Sequence, residues 1–80
     1  MPTVIRVGRF RLFFYSNEGA EPAHIHVQAG DGVAKFWLEP VELADSIGCT
    51  ARDIAQAEAV VRDHRDLCLR SWHEHFPDKA

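Results

Sequence analysis

From Ala51 to Phe76 the chain contains neither glycine nor proline, and its apolar residues recur at helical spacing. At 100° per residue, Ile54, Ala57, Val60, Val61, His64, Leu67, Cys68, Ser71, Trp72 and His75 fall within an arc of about 140°. Glu58, Arg62, Asp63, Arg65, Asp66, Arg70, His73 and Glu74 lie outside it. Thr50 followed by Asp53 reads as an N-cap with a short capping acid, and Pro77 stops the run. This predicts one long amphipathic helix over 51–76. A helix with a single apolar stripe must lay that stripe on something, and 80 residues leave room for one domain and one core.

The first half supplies the partner. Short apolar-rich segments alternate with turn residues: Thr3–Val7 before Gly8, Arg9–Tyr15 before Ser16-Asn17-Glu18-Gly19, His24–Ala29 before Gly30-Asp31-Gly32, and Val33–Leu38 before Glu39-Pro40. Gly30-Asp31-Gly32 signals a hairpin. Val41–Leu43 suits a short fifth strand, after which Asp45-Ser46-Ile47-Gly48 breaks the pattern. The expected fold is α+β: an antiparallel sheet of four to five short strands over residues 3–43, with the long helix packed on one face, forming a single domain over 1–80.

Strand side chains alternate faces. One face takes Ile5, Val7, Phe10, Leu12, Phe14, Ile25, Val27, Phe36 and Leu38, which the helix should bury. The other takes Arg6, Arg9, Arg11, Phe13, Tyr15, His24, His26, Lys35 and Trp37. Cations suit phosphates, aromatic rings stack on unpaired bases, and histidine moves protons near neutral pH. An RNA-cleaving reading assigns His24 and His26 as base and acid, with Arg9, Arg11 or Lys35 on the developing phosphate charge. Phe13, Tyr15 and Trp37 join Arg9, Arg11 and Lys35 as binding residues. Three other readings stand beside it: a solvated face with no task, a protein-partner surface built on Trp37 and Tyr15, and a metal site on His24 and His26. The last lacks a compelled third ligand, so no metal or cofactor is assigned.

Other features are more ordinary. His64 falls in the apolar stripe and reads as a histidine bonded to a backbone carbonyl. His73 and His75 lie about 200° apart on a helix and do not share an ion. Leu69 and Phe76 flank the polar side, as a partner strip or as scattered apolar residues. Cys49 and Cys68 lack a C-x-x-C pairing and read as idle thiols in a reduced compartment. The net charge of −3 argues against a simple basic clamp, but residues 1–37 carry +1 and residues 38–80 carry −4. No apolar run reaches membrane-spanning length, and the start lacks a secretion-signal pattern. There is no phosphate-binding glycine loop or nucleophile elbow.

The run Arg11-Leu12-Phe13-Phe14-Tyr15-Ser16-Asn17-Glu18-Gly19, then Glu21-Pro22-Ala23-His24-Ile25-His26-Val27, closely resembles the bacterial domain-of-unknown-function 4160 family. So do Pro2-Thr3-Val4, Ala34-Lys35-Phe36-Trp37-Leu38-Glu39-Pro40-Val41 and Ser71-Trp72-His73-Glu74-His75-Phe76. The resemblance spans essentially the whole chain. It implies a small cytoplasmic bacterial protein whose cognate partner is an antitoxin-like small protein encoded next to it. This chain is then the toxin-like component, with RNA or the translation machinery as target. The resemblance carries over no established catalytic residue. The expected alternatives are a non-enzymatic protein-interaction module and a small histidine-ligated metalloprotein. A free sheet edge also leaves room for a homodimer.

Overall fold

A computed structural model of the protein describes residues 3–15 and 21–76. Among these residues, five strands form one antiparallel sheet in chain order: β1 (Thr3–Val7), β2 (Phe10–Phe13), β3 (His24–Ala29), β4 (Gly32–Leu38) and β5 (Val41–Ile47). Two helices follow, α1 (Ala51–Asp63) and α2 (Arg65–His75). The α+β class, the antiparallel sheet and the helical layer on one face agree with the sequence reading. The expected loop at Ser16-Asn17-Glu18-Gly19 and the stop at Pro77 lie outside the described residues.

Both hairpins around β3 and β4 close through two residues. Ala29 pairs with Gly32 across Gly30-Asp31, with Gly30 at φ 62°, as a primed hairpin turn with glycine first requires. Leu38 pairs with Val41 across Glu39-Pro40. The core forms where parity predicted it. Phe10, Leu12, Phe14, Ile25, Val27, Phe36 and Leu38 are buried against Ala57, Val61, Cys68 and Trp72 of the helices. Leu69 and Phe76 pack against this cluster and do not form a separate strip. Cys49 and Cys68 are both free, and burial pushes the Cys68 thiol up to about 11.

Two expectations are corrected. The helix is not one but two, interrupted at His64 (φ −115°, ψ 21°). The His64 ring Nδ1 lies 3.0 Å from the Val60 carbonyl, and the His64 backbone N–H is shared between Val60 and Val61 carbonyls. Side chain and backbone thus compete for one acceptor, as at other helix interiors where a side chain bonds back to the preceding turn. Beyond the break, Arg65 Nε donates to the Leu38 carbonyl at 2.8 Å and ties the start of α2 to the β4–β5 turn. The second correction is β5, which runs through Asp45-Ser46 to Ile47. A bulge between the Lys35 and Phe36 pairings lets it continue despite its polar residues.

The N-terminus of α1 is doubly fixed. Thr50 Oγ1 accepts from the Asp53 N–H at 3.0 Å, and Asp53 Oδ2 accepts from the Thr50 N–H at 3.1 Å, a full capping box. Thr50→Ala is therefore expected to cost about 1 kcal/mol, lowering the thermal midpoint by about 4–8 °C; Thr50→Ser should recover most of it. Asp53 also pairs with Arg9 at 2.6 Å. The Arg9 hydrogen bond, then the Thr50 N–H, hold its carboxyl below the ordinary carboxylate range. A lowered folded-state pKa gives stability that is present above the unfolded value and lost as pH falls through the folded one. The stability advantage of wild type over Asp53→Asn should therefore shrink as pH drops below about 4, measured by urea unfolding.

Candidate nucleic-acid interface

The sheet face turned away from the helices is ordered in cross-strand rows by the register. Arg6, Arg11 and Gln28 form one row. Phe13, His26, Lys35 and Asp45 form the next. His24, Trp37 and Glu42 form a third. Cross-strand neighbours on one face sit about 4.5–5.5 Å apart at Cβ, so each row is a line of side chains in contact range.

The middle of the face is an aromatic stack. The His26 ring lies over Phe13, with centroids 5.4 Å apart and planes at 25°. Tyr15 meets the edges of both, at 5.4 Å from Phe13 and 4.9 Å from His26. Arg11 also sits over the Phe13 ring, at 4.5 Å. Tyr15 keeps 39% of its surface exposed, while Phe13 is buried and His26 is 8% exposed. Phe13 therefore serves as a base plate for Arg11, Tyr15 and His26, and is closed to an incoming ring. Lys35 Nζ is 2.7 Å from Glu21 Oε1 and 4.7 Å from the Trp37 ring centre.

Three of the expected site residues are placed differently from the sequence reading. His24 is fully buried. Its Nδ1 lies 2.9 Å from the Pro22 carbonyl, so Nδ1 carries the proton in that bond. Its ring centroid is 5.3 Å from His26, 5.8 Å from Trp37 and 4.8 Å from Trp72 of α2. Parity governs strand interiors, whereas His24 is the first residue of β3, at the end of the sheet that α2 reaches. The two histidines are neighbours, but they do not stand together on an open surface.

Arg9 belongs to the β1–β2 turn and escapes parity in the same way. Its guanidinium crosses Phe10 at 4.5 Å and binds Asp53 and Gln56 at 2.6 and 2.9 Å on α1. Trp37 turns toward the opposite end of the sheet, where a hollow of about 610 Å³ is lined by Glu21, Glu39, Glu42, Trp72 and His73. That end is acidic, so Trp37 is separated electrostatically from the arginines.

Two hollows open on the face itself. One, of about 300 Å³, runs between Tyr15, His26 and Lys35 on one side and Asp31, Asp45 and Ile47 on the other. The second, of about 500 Å³, is lined by Thr3, Arg6, Arg9, Arg11 and Gln28. Positive charge gathers over β1 and β2, and negative charge at the β4–β5 side. Sequence reasoning missed Gln28, though it shares parity with His24 and His26. It missed Asp45 because the fifth strand was expected to end at Leu43. Among the described residues, no three of His, Cys, Asp and Glu converge to hold a metal ion, and no helix is long and apolar enough to cross a membrane.

A family model described as domain of unknown function (DUF4160) matches residues 10–73. The chain belongs to this family. The DUF4160 match runs from the first residue of β2 into α2, so it takes in β2 through β5 and leaves β1 outside. No curated protein and no solved structure matches the chain.

Proposed function

We propose that this chain is the toxin-like member of a two-protein bacterial module and acts by binding single-stranded RNA, without cleaving it. The observation that carries this reading is the groove in which the exposed Tyr15 ring, the His26 edge and the Lys35 ammonium share one wall. Tyr15 offers a π-face for an unpaired base, a sequence-tolerant contact. Asp31 and Asp45 on the other wall accept from exocyclic amines, while the arginine side of the face takes the backbone phosphates. Hydrolysis by paired histidines is not part of this reading, since His24 is buried and held on Pro22. His24 is a positioning residue that fixes the start of β3 beneath His26.

The test has two arms. Expression of the chain alone in a bacterial host is expected to arrest growth with cellular RNA intact. Purified protein is expected to bind a fluorescent single-stranded RNA, with affinity falling as salt rises by a log–log slope of about −0.7 per phosphate engaged. Tyr15→Ala should weaken binding about tenfold, in line with about 1–3 kcal/mol per stacked base, and Lys35→Ala should weaken it and reduce the salt slope by about 0.7. Absence of RNA binding at low salt overturns the reading. Fragmented RNA that depends on His26 overturns its non-cleaving form.

A second reading, a protein-docking surface, is favoured by a separate observation. Ile47 is 75% exposed at the end of β5, on the face away from the helices, where it pairs with Val33. Irregular pairing in β5 and in β1 twists both sheet edges and disfavours simple strand-to-strand dimerisation. Under the main reading this β5 edge is where the antitoxin-like partner seats.

A further inference from the structure

We propose that the hollow between β1, β2 and β3 is a binding site for a phosphate dianion, with Arg6 and Arg11 as its ligands. The two arginines are direct cross-strand partners on the same face. Like charges in that relation destabilise a sheet, and among the described residues no carboxylate pairs with either one. Arg11 is oriented without being neutralised. Its Nε donates to Thr3 Oγ1 at 3.0 Å and its Nη1 to Gln28 Oε1 at 3.2 Å, both uncharged acceptors. Its plane is further fixed by the Phe13 ring beneath it. Arg6 is exposed and makes no hydrogen bond or ion pair among the described residues.

Arg9 provides the contrast within the same hollow. Its guanidinium is spent on Asp53, which shows how a carboxylate satisfies an arginine here when one is supplied. The remaining two guanidinium groups, which no carboxylate among the described residues pairs with, line a space of about 500 Å³. Guanidinium forks match phosphate oxygens bidentately. Two of them facing one hollow suit a doubly charged phosphomonoester or inorganic phosphate better than a singly charged diester. Of the pair, Arg11 lies inside the stretch matched by the family model and Arg6 outside it. Two sources supply such a group, free phosphate and the 5′ end of an RNA. The second source rests on the RNA reading above, whereas the site itself does not.

The experiment titrates inorganic phosphate into the full chain at low ionic strength, followed by calorimetry and by NMR of the arginine Nε–H and glutamine side-chain amide groups. One saturable site is expected, with shifts at Arg6, Arg11 and Gln28. Arg6→Ala and Arg11→Ala should each weaken it at least tenfold. Arg70→Ala, an exposed charge on α2, serves as the matched control and should leave it unchanged. Arg11→Lys keeps charge and packing should Arg11→Ala unfold, and is expected to lose affinity because it lacks the fork. Binding should weaken as pH falls below about 7, where inorganic phosphate loses its second charge (a phosphomonoester does so near pH 6), whereas sulfate binding should not. No saturation, or equal loss in Arg70→Ala and the two site variants, overturns the site. An RNA with a 5′-phosphate binding at least tenfold tighter than its 5′-hydroxyl twin supports the RNA end as the source. Equal affinities of the two RNAs overturn that source and leave phosphate binding and the RNA reading to their own tests.

Discussion

Trp72→Ala is expected to leave the chain largely unfolded at growth temperature. Only Cys68 and Trp72 of α2 are buried, so this one ring supplies most of the anchor that holds the helix to the sheet. It is 1% exposed, and it touches Phe14, Phe76 and His24 at centroid separations of 5.8, 4.4 and 4.8 Å. Removing a buried tryptophan costs about 3–5 kcal/mol. A chain of this size has a stability of about 4–12 kcal/mol, so the loss takes a large share of the margin. The thermal midpoint should fall by roughly 15–30 °C, read by circular dichroism, while Trp72→Phe should retain most of it. A midpoint within a few degrees of wild type would show that α2 is not docked through this ring. His24 adds a functional consequence. Its ring is wedged between Trp72 and His26, so truncation should also broaden the NMR signals of His26 across the sheet.

The same residues explain which parts of this molecule could be read from the sequence. In β2, β3 and β4 one face is fully buried and the period is two, so Phe10, Leu12, Ile25, Val27, Phe36 and Leu38 announced both strand and core. Strand β5 is an edge strand with a bulge and polar residues at Glu42, Asp45 and Ser46. It buries little beyond Val41, and hydrophobic alternation has nothing to report there. The break at His64 was hidden for the opposite reason. Val61 and Cys68 stand seven residues apart, nearly two helical turns, so the apolar stripe passes the interruption in phase. What interrupts the helix is a ring nitrogen on a carbonyl, which periodicity does not register. For the candidate site, Arg11, Tyr15, His26 and Lys35 were placed by parity in or beside strand interiors and share the face as expected. Arg9 in a turn and His24 at a strand start answer instead to Asp53 and to Pro22 with Trp72. Parity held for Arg11, His26 and Lys35, which have ladder neighbours on both sides, and failed for Arg9 and His24, which do not. The roles of Thr3 and Gln28 around Arg11 depended on register, which the alternation pattern leaves open.

Gly32→Ala is expected to be the most damaging of the small substitutions in the sheet. Gly32 opens β4 directly after the Gly30-Asp31 turn. A Cβ built there would lie 2.5 Å from the Gly48 carbonyl oxygen, 2.6 Å from its carbon and 2.8 Å from Cys49 Sγ. Two of these are backbone atoms, which have no rotamer to retreat into. Gly48 is itself at φ 73°, and a Cβ built on it would lie 3.3 Å from the Gly32 Cα. The two glycines are therefore pressed together where the chain leaves β5 for the Thr50 cap. A methyl group there must push the end of β5 away from β4, at a cost of about 1–3 kcal/mol or somewhat more. The internal comparison is Gly30→Ala. Gly30 has nothing within 4 Å of a new Cβ, and its positive φ alone sets the penalty, about 1–2 kcal/mol. Cys49→Ala in the Gly32→Ala background should recover only a part, because the carbonyl remains. Thermal midpoints of the four proteins decide the order, and a Gly32→Ala midpoint at or above that of Gly30→Ala would refute the close approach. The displacement also reaches the face opposite the helices. Asp31, Ser46 and Ile47 form the far wall of the groove beside Tyr15 and His26, so a folded Gly32→Ala protein should lose RNA affinity while keeping phosphate at Arg6 and Arg11.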